Sequence, residues 1–236
     1  MNGREELRTI LPGVLTIGTD TSSPGPFHHG DPGTPDFAGF DVDLCKAIAQ
    51  RAGLVPQFVS CLWSTILGEL NAGRFDMVCT AATITEARRK VVDFSLPYFD
   101  VEVSVVARRN SGVSSAEDLH GKRIGVRSST TAEEALRAYL TGGEIRTYDY
   151  NDDAYRELSE GITDAVVDDV PIGQYFTGQL PELKLVGNLR GSSSQYAILF
   201  AKGSEALRSA VDRALAQIRA EGLHARLCEK WFGGGR

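Results

Sequence analysis

DMVCTAATITEARRKVVDFSLPY, residues 76–98, joins a short apolar run to a loop suited to binding. Residues 77–79 are typical of a buried strand. The small and hydroxylated residues that follow allow a ligand to approach the backbone, whose N–H groups can bind an anion. Thr85 is a candidate N-cap for the next turn, and the planar Arg88 side chain suits a carboxylate. The same pattern is compatible with a solvated basic surface, so the rest of the chain must decide between the two interpretations.

Length and composition indicate a globular protein with a sizeable core. A chain of 236 residues is either one large domain or two lobes. Apolar residues make up 42% and charged residues 24%, which argues against disorder. The formal net charge of −6 argues against nucleic acid as a partner, because phosphate-binding surfaces are positively charged.

Strand and helix patterns alternate on both sides of the opening stretch. In the first half the pattern predicts a helix over residues 40–52 that ends at Gly53, and a helix over 64–71 with Ser64 as its N-cap. In the second half Thr131 and Glu134 have the spacing of a capping box for a helix through Leu140. The predicted strands lie at 14–18, 56–61, 77–80, 122–126, 145–148 and 164–167. This alternation predicts parallel pairing and an α/β class.

Two extended runs, near residues 101–105 and 195–199, join the two α/β units. We therefore predict one lobe from residues 1–103 and 198–236, and a second lobe from residues 104–197. Open α/β sheets bind ligands at the carboxyl ends of their strands. Two such lobes joined by two strands would form a cleft with a hinge.

The cysteines and the chain's apolar segments give little sign of other chemistry. Cys45, Cys61, Cys79 and Cys228 lie in apolar segments without metal-ligand spacing, so we predict buried free thiols and no metal or cofactor. No apolar run approaches a membrane span. The first residues, MNGREELRTILPG, lack the apolar region of a signal peptide, which predicts either a cytosolic protein or a leader absent from this chain.

Six motifs, in order along nearly the whole chain, carry a resemblance to a known family. They are GFDVD at 39–43, TITEAR at 83–88, VDFSLPY at 92–98, DLHGK at 118–122, DAVVDD at 164–169 and KWFG at 230–233. With them the chain resembles the type 3 solute-binding proteins of ABC importers, relatives of the glutamine- and lysine/arginine/ornithine-binding proteins.

The resemblance implies a two-lobed Venus-flytrap fold, periplasmic binding protein-like II, with two hinge strands. It implies reversible binding of a small polar solute, most often an L-amino acid, and delivery to the membrane permease of an ABC importer. It also implies a monomer that is periplasmic or lipid-anchored outside the cytoplasm.

The resemblance also assigns residues to the head group of an amino acid. Arg88 and Thr83 would bind the α-carboxylate, and Thr131, at a helix start, would donate its N–H to the same group. The Ala81 carbonyl and the Asp169 carboxylate would bind the α-ammonium. Thr131 and Asp169 could instead be simple helix caps. The implied head-group residues are Ala81, Thr83, Arg88, Thr131 and Asp169, and Thr80 is a further implied ligand-binding residue.

The residues that would contact the ligand side chain favour different ligands. Trp63 matches an aromatic residue that stacks on the ligand, although a core tryptophan is the alternative. Asp20 and Asp168 would suit arginine or lysine, whereas Arg127 would suit glutamine, glutamate or aspartate. If Arg127 pairs with Asp168 or points outward, a cationic ligand is favoured. Ser23 stands where relatives commonly place an aromatic residue.

An enzyme and a membrane-receptor domain are the two alternatives to a free binding protein. Cyclohexadienyl dehydratases share this scaffold and carry a glutamate three residues beyond the acid that matches Asp169. Here that position is Ile172, which cannot transfer a proton, so no catalysis is expected. The same fold also occurs as the ligand-sensing domain of membrane receptors. The chain ends soon after Trp231 without a linker, which favours a free receptor.

Overall fold

The computed structural model describes residues 7–233 as alternating strands and helices. In chain order the elements are β1 Val14–Asp20, α1 Phe40–Ala52, β2 Val55–Cys61, α2 Ile66–Asn71, β3 Met77–Val78, α3 Glu86–Arg89, β4 Val92–Phe94, β5 Phe99–Val101, β6 Val103–Arg108, a 3-10 helix Ala116–Leu119, β7 Arg123–Arg127, α4 Thr131–Tyr139, β8 Glu144–Tyr148, α5 Asn151–Glu160, β9 Ala165–Asp169, α6 Val170–Gln179, β10 Leu183–Asn188, β11 Ser194–Tyr196, β12 Leu199–Ala201, α7 Glu205–Ala220 and α8 Leu223–Phe232.

These residues divide into two compact units. Unit one comprises residues 7–22, 27–99 and 195–233, and unit two comprises residues 23–26 and 100–194. The chain passes between them within β5 and β11, two strands that pair with each other. The division lies at 99/100 and 194/195, whereas the sequence placed it at 103/104 and 197/198.

The sheet of unit one has the order β2-β1-β3-β12-β4. β1 is parallel to β2 and β3, as the alternation predicts. β12, which lies in the second extended run and outside the alternating pattern, is antiparallel to β3 and β4. The chain enters β12 beside the residues that follow β3, because Ala197 N–H donates to the Ala82 carbonyl. A strand that begins at this edge must run opposite to its neighbours.

The sheet of unit two has the order β10-β6-β9-β7-β8. β7 is parallel to β8 and β9, while β6 is antiparallel to β9 and β10. β10 was not predicted from the sequence. It is an edge strand with a register shift between Leu185 and Gly187, which breaks the alternating pattern that signals a strand.

An aromatic cluster fills the core of unit one around the start of α1. The Phe27 ring is buried there, as expected for a core residue, and packs edge-on against Phe40. Gly39 makes this approach possible, because a Cβ at that position would lie 2.1 Å from the Phe27 carbonyl oxygen. Its φ of 147° also favours glycine. The cluster consists of Phe27, Phe40, Tyr98, Phe99, Tyr196 and Phe232.

Three helix starts test the predicted caps. Thr85 does cap α3, since its side chain accepts from Arg88 N–H. Ser64 was wrong as a cap, because α2 begins after Thr65. Thr131 was also wrong as a cap: the Thr130 hydroxyl accepts from Glu133 N–H at 3.1 Å, and Thr131 is the first residue of α4.

All four cysteines are free thiols, as predicted, and Cys228 is only partly buried. Within residues 7–233 no helix combines the length and the apolar character needed to cross a membrane.

Candidate ligand-binding site

Unit one gathers six of the predicted site residues at one edge of its sheet. Asp20 ends β1, Trp63 follows β2, and residues 80–88 follow β3. The three strands are parallel, so their carboxyl ends lie at the same edge. We call this set the unit-one half-site: Asp20, Trp63, Thr80, Ala81, Thr83 and Arg88.

Arg88 is held by its own segment and by an aromatic ring. Its backbone N–H donates to Thr85 Oγ1 at 3.1 Å, and its Nη1 donates to the Thr83 carbonyl at 2.7 Å. Its Cζ lies 4.7 Å from the centroid of the Trp63 ring, a cation–π contact. Arg88 is therefore an oriented, partly buried guanidinium, whereas the neighbouring Arg89 is exposed and packs on Phe94.

Trp63 is half-buried and packs against the core cluster that includes Ile66 and Leu70. The ring thus serves two structural purposes, core packing and support of Arg88. The predicted stacking on a ligand side chain stays a prediction.

Asp20 is almost fully buried, with 2% of its surface exposed. Its Oδ1 accepts from the Ser22 N–H at 3.1 Å and from the Ser22 hydroxyl at 2.5 Å. Its backbone N–H donates to Thr80 Oγ1 at 3.0 Å, which ties the ends of β1 and β3 together. A buried carboxylate is costly unless it is hydrogen-bonded, and the two bonds from Ser22 offset part of that cost.

Ala81 adopts a left-handed backbone conformation, with φ of 50°. For a residue with a Cβ this conformation costs about 1–2 kcal/mol. The Ala81 N–H donates to Asp41 Oδ2 at 2.8 Å and lies 3.2 Å from Tyr98 Oη. The Tyr98 hydroxyl in turn donates to Asp41 Oδ2 at 3.0 Å. The Asp41 carboxylate and the Tyr98 hydroxyl together hold the strained Ala81 peptide in place.

Asp41 and Tyr98 were not among the predicted site residues. Both belong to the motifs that carry the family resemblance, GFDVD and VDFSLPY, which is the signal that could have drawn attention to them. Burial raises the pKa of the Asp41 carboxyl to about 7, although hydrogen bonds from Ala81 N–H and the Tyr98 hydroxyl act to lower it.

The second acid of GFDVD has a different partner. Asp43 Oδ2 accepts from Lys230 Nζ at 2.7 Å and from Trp231 Nε1 at 2.9 Å. The motif therefore connects α1 to the loop after β3 through Asp41, and to α8 through Asp43.

Unit two places four predicted residues at the carboxyl edge of its own parallel strands. Arg127 ends β7, Thr131 begins α4, and Asp168 and Asp169 end β9. We call them the unit-two half-site. Neighbouring residues of a strand point to opposite faces of the sheet, so the two aspartates are separated.

The two faces of β9 pack against different helices. Val167 lies in the core cluster with Ala132 of α4, whereas Val166 lies in the cluster with Tyr155 of α5. By alternation the Asp169 side chain is on the α4 face, the side on which Thr131 begins its helix. This arrangement brings the two predicted head-group residues of unit two to one face.

Asp168 lies on the α5 face with only 9% of its surface exposed. Its Oδ2 is 3.4 Å from the Tyr155 hydroxyl, and its Oδ1 accepts from Asp169 N–H at 2.8 Å. Burial and the neighbouring Asp169 charge raise the pKa of Asp168 to about 8. The Asp168 carboxyl is therefore held by Tyr155 and by the Asp169 backbone, within reach of the Asp169 charge.

Arg127 shares the α5 face with Asp168. Its Nε donates to the Asp149 carbonyl at 3.1 Å. Its positive charge also acts to lower the pKa of Asp168 and of Asp152, although burial makes both values higher than usual. Part of the Arg127 charge is thus directed at carboxyl groups of its own unit.

Residues 23–26 support unit two. The Ser23 hydroxyl is buried and accepts from Asn151 N–H at 3.0 Å, at the start of α5. A Cβ at Gly25 would lie 3.3 Å from Ile172 Cδ1, so the loop packs closely against α6. The position at which relatives commonly carry an aromatic residue is here occupied by a buried serine that caps a helix.

The family model for bacterial extracellular solute-binding proteins, family 3, matches residues 15–234. The chain belongs to this family. The resemblance to type 3 solute-binding proteins of ABC importers is thereby confirmed.

Individual relatives of this solute-binding protein agree with that assignment. The L-cystine-binding protein TcyJ of Escherichia coli (strain K12) is 31% identical over 223 residues, which cover 94% of this chain and 83% of TcyJ. The arginine-, lysine-, histidine-binding protein ArtJ of Geobacillus stearothermophilus has a TM-score of 0.85 and 32% identity, and the match covers 94% of this chain and 96% of ArtJ.

A third relative bears on the enzyme alternative. It is the ancestral amino acid-binding protein AncCDT-1, a precursor of cyclohexadienyl dehydratase, with a TM-score of 0.83 and 32% identity over 93% of this chain and 95% of its own. Together these likenesses confirm the predicted two-lobed α/β fold class of the solute-binding protein.

Among residues 7–233 no group of three or more His, Cys, Asp or Glu side chains could hold a metal ion.

Proposed function

We propose that this solute-binding protein reversibly binds an L-amino acid and delivers it, as a monomer outside the cytoplasm, to the permease of an ABC importer. The observation that carries the proposal is the oriented guanidinium of Arg88, which Thr83 and Trp63 hold in the same loop as the strained Ala81 peptide. A guanidinium and a peptide carbonyl are the groups that bind a carboxylate and an ammonium.

Each unit offers groups suited to the head group of an amino acid. Arg88 and Thr83 of unit one, and the N–H of Thr131 at the start of α4, would bind the α-carboxylate, because helix starts favour anions. The Ala81 carbonyl and the Asp169 carboxylate would bind the α-ammonium. Thr131 and Asp169 support this division of roles through their common face of the unit-two sheet.

For the ligand side chain we propose a cationic group as the first candidate. The buried Asp20 carboxylate would bind an ammonium or guanidinium, and Arg127 directs part of its charge at Asp168 and Asp152. L-cystine is the second candidate, supported by the likeness to TcyJ. Its second amino-acid end carries both charges, so it could use Asp20 and Arg127 together.

A thermal-shift screen with L-arginine, L-lysine, L-histidine, L-glutamine and L-cystine tests the proposal. A ligand that binds only the folded state raises the melting temperature, and at equal concentrations the ligand with the lower Kd gives the larger shift. We expect arginine or cystine to give the largest shift. If no α-amino acid stabilises the protein, the proposed function is wrong.

Two neighbouring arginines provide a matched pair for the head group. Arg88→Ala should abolish binding of every α-amino acid. Arg89→Ala should leave the affinity unchanged, because Arg89 is exposed and pairs with Glu86 on its own helix. Equal effects of the two substitutions would show that the ligand carboxylate is bound elsewhere.

We further propose that the protein has no dehydratase activity. Ile172, at the position where the dehydratases carry an acid, packs against the core cluster of Tyr155 and Phe176. Incubation with prephenate should therefore yield no phenylpyruvate. Formation of phenylpyruvate at a rate proportional to protein concentration would overturn this part of the proposal.

A further inference from the structure

We infer that Asp41, together with Tyr98, is a positioning residue for amino-acid binding: it holds the Ala81 peptide in the left-handed conformation that presents the Ala81 carbonyl to the ligand ammonium. The inference rests on the proposed function. It concerns two buried residues whose polar groups contact the loop that follows β3, and it gives neither of them a contact with the ligand.

The contacts form a closed set around one peptide. Asp41 Oδ2 accepts from Ala81 N–H at 2.8 Å and from the Tyr98 hydroxyl at 3.0 Å, and the Tyr98 oxygen lies 3.2 Å from the same Ala81 nitrogen. The carboxylate thus bonds both to the peptide and to the side chain beside it. Asp41 Oδ2 is the nearer of the two acceptors and also holds the Tyr98 hydroxyl, so Asp41 is the main restraint on Ala81.

The start of α1, which carries Asp41, is itself fixed. Asp41 lies in the first turn of α1, and its N–H donates to the Phe27 carbonyl at 3.0 Å. Gly39 brings the helix start so close to Phe27 that no Cβ would fit. A small shift of the helix start would therefore meet the Phe27 backbone, and the carboxylate keeps its position.

The chain is also fixed on either side of Ala81. Before it, Cys79 N–H donates to the Gly18 carbonyl at 3.1 Å, and Thr80 Oγ1 accepts from Asp20 N–H at 3.0 Å. After it, the Ala82 carbonyl accepts from Ala197 N–H at 3.1 Å. Hydrogen bonds to the sheet hold the residues on both sides of Ala81. The orientation of the Ala81 peptide is then the conformational freedom left in this segment, and the hydrogen bond to Asp41 fixes it.

Two unfavourable features meet at this position. Asp41 is 1% exposed, and its Oδ1 has no hydrogen-bond partner among the described residues. Ala81 adopts a conformation that residues with a Cβ rarely adopt. Strain and incompletely satisfied buried charge persist together where function requires them, which favours a ligand-related role over simple core packing.

The test compares affinities of purified variants for L-arginine and L-cystine by calorimetry. Asp41→Leu removes the acceptor, and removal of a charged hydrogen bond predicts about a 10- to 100-fold loss of affinity. Asp41→Asn retains one oxygen acceptor, so its loss should be about fivefold or less. Tyr98→Phe removes only the hydroxyl, should fold normally, and should lose about three- to tenfold.

Asp43→Asn is the matched control. It changes the same residue type on the same helix, where the carboxylate anchors Lys230 and Trp231. The denaturation midpoint of Asp43→Asn should fall. Its affinity for both amino acids should stay within about twofold of the wild type, which is no more than the loss of one neutral hydrogen bond would cause.

A rescue experiment separates positioning from general stabilisation. Glycine adopts positive φ without the steric cost that alanine meets. Ala81→Gly should therefore restore part of the affinity lost in the Asp41→Leu variant. A purely structural role of Asp41 predicts no such recovery of affinity.

The outcomes distinguish this inference from the proposed function. If the wild type binds no α-amino acid, the proposed function fails. If the wild type binds while the folded Asp41→Leu and Tyr98→Phe variants bind equally well, the inference about Asp41 fails and the proposed function stands.

Discussion

The Arg88 guanidinium lies over the Trp63 ring, with its Cζ 4.7 Å from the ring centroid. The same guanidinium donates from Nη1 to the Thr83 carbonyl at 2.7 Å. Trp63 therefore supports the group proposed to bind the ligand carboxylate, whereas the family resemblance assigned it to the ligand side chain. The two roles make different predictions about which ligands depend on the ring.

Trp63→Leu should weaken the binding of every amino acid by a similar factor, about three- to tenfold, as loss of one cation–π contact implies. Trp63→Phe should retain most of the affinity, because an aromatic face remains. Calorimetry with at least two amino acids of different side chain measures both effects. A loss confined to one amino acid would instead support stacking on the ligand.

The stability of the protein should fall as pH rises through the window set by Asp168. Burial and Asp169 raise the pKa of Asp168 from its usual 3.8 to about 8 in the folded protein. Between these values the folded state binds more protons than the unfolded state, so the free energy of unfolding decreases with increasing pH. The contribution is present below about pH 4 and is lost as pH rises through about 8.

Asp168→Asn should flatten this dependence, by at most about 1.4 kcal/mol per pH unit. Denaturant unfolding at several pH values between 5 and 8 measures the slope. Asp164→Asn is the control, because the Arg123 hydrogen bond lowers the pKa of Asp164 and its titration lies below this range. An unchanged slope in Asp168→Asn would mean that the Asp168 carboxyl is already ionised at pH 5.

Local patterns were enough to predict much of the fold. The apolar stripe and Gly53 gave the bounds of α1, because a helix stripe and a left-handed glycine cap are both encoded within a few residues. The rule that ligands bind at the carboxyl ends of parallel strands brought Asp20 and residues 80–88 to one edge.

Features that depend on distant contacts could not be predicted in this way. The direction of β12 depends on where the chain re-enters unit one, which no local pattern records. The bond from Ala81 to Asp41 joins residues 40 positions apart. The separation of Asp168 from Asp169 depends on which face of β9 packs against α5, which requires the sheet order. The motifs contain these residues, but a motif does not show which distant residues they contact.

Gly39→Ala should destabilise unit one by about 3 kcal/mol or more, as expected for severe overpacking combined with an unfavourable φ. The added Cβ would meet the Phe27 carbonyl at 2.1 Å. Gly68→Ala is the matched control: Gly68 lies inside α2 with open space around it, so alanine should be neutral or stabilise by up to about 1 kcal/mol.

Chemical denaturation followed by circular dichroism measures both glycine variants. If Gly39→Ala unfolds at the wild-type midpoint, the close approach of α1 to Phe27 is not rigid. The fixed position assigned to Asp41 would then lose its main support.

Asp20→Asn should distinguish the side-chain candidates. The substitution removes the negative charge but keeps an oxygen that can accept from Ser22, so the turn after β1 should survive. Loss of one charge-assisted contact predicts about a 10- to 100-fold lower affinity for L-arginine and a much smaller change for L-glutamine. Calorimetry at two salt concentrations tests this, because the arginine affinity of the wild type should fall with salt more steeply than that of the variant. If both amino acids lose affinity equally, Asp20 supports the loop and does not select the ligand.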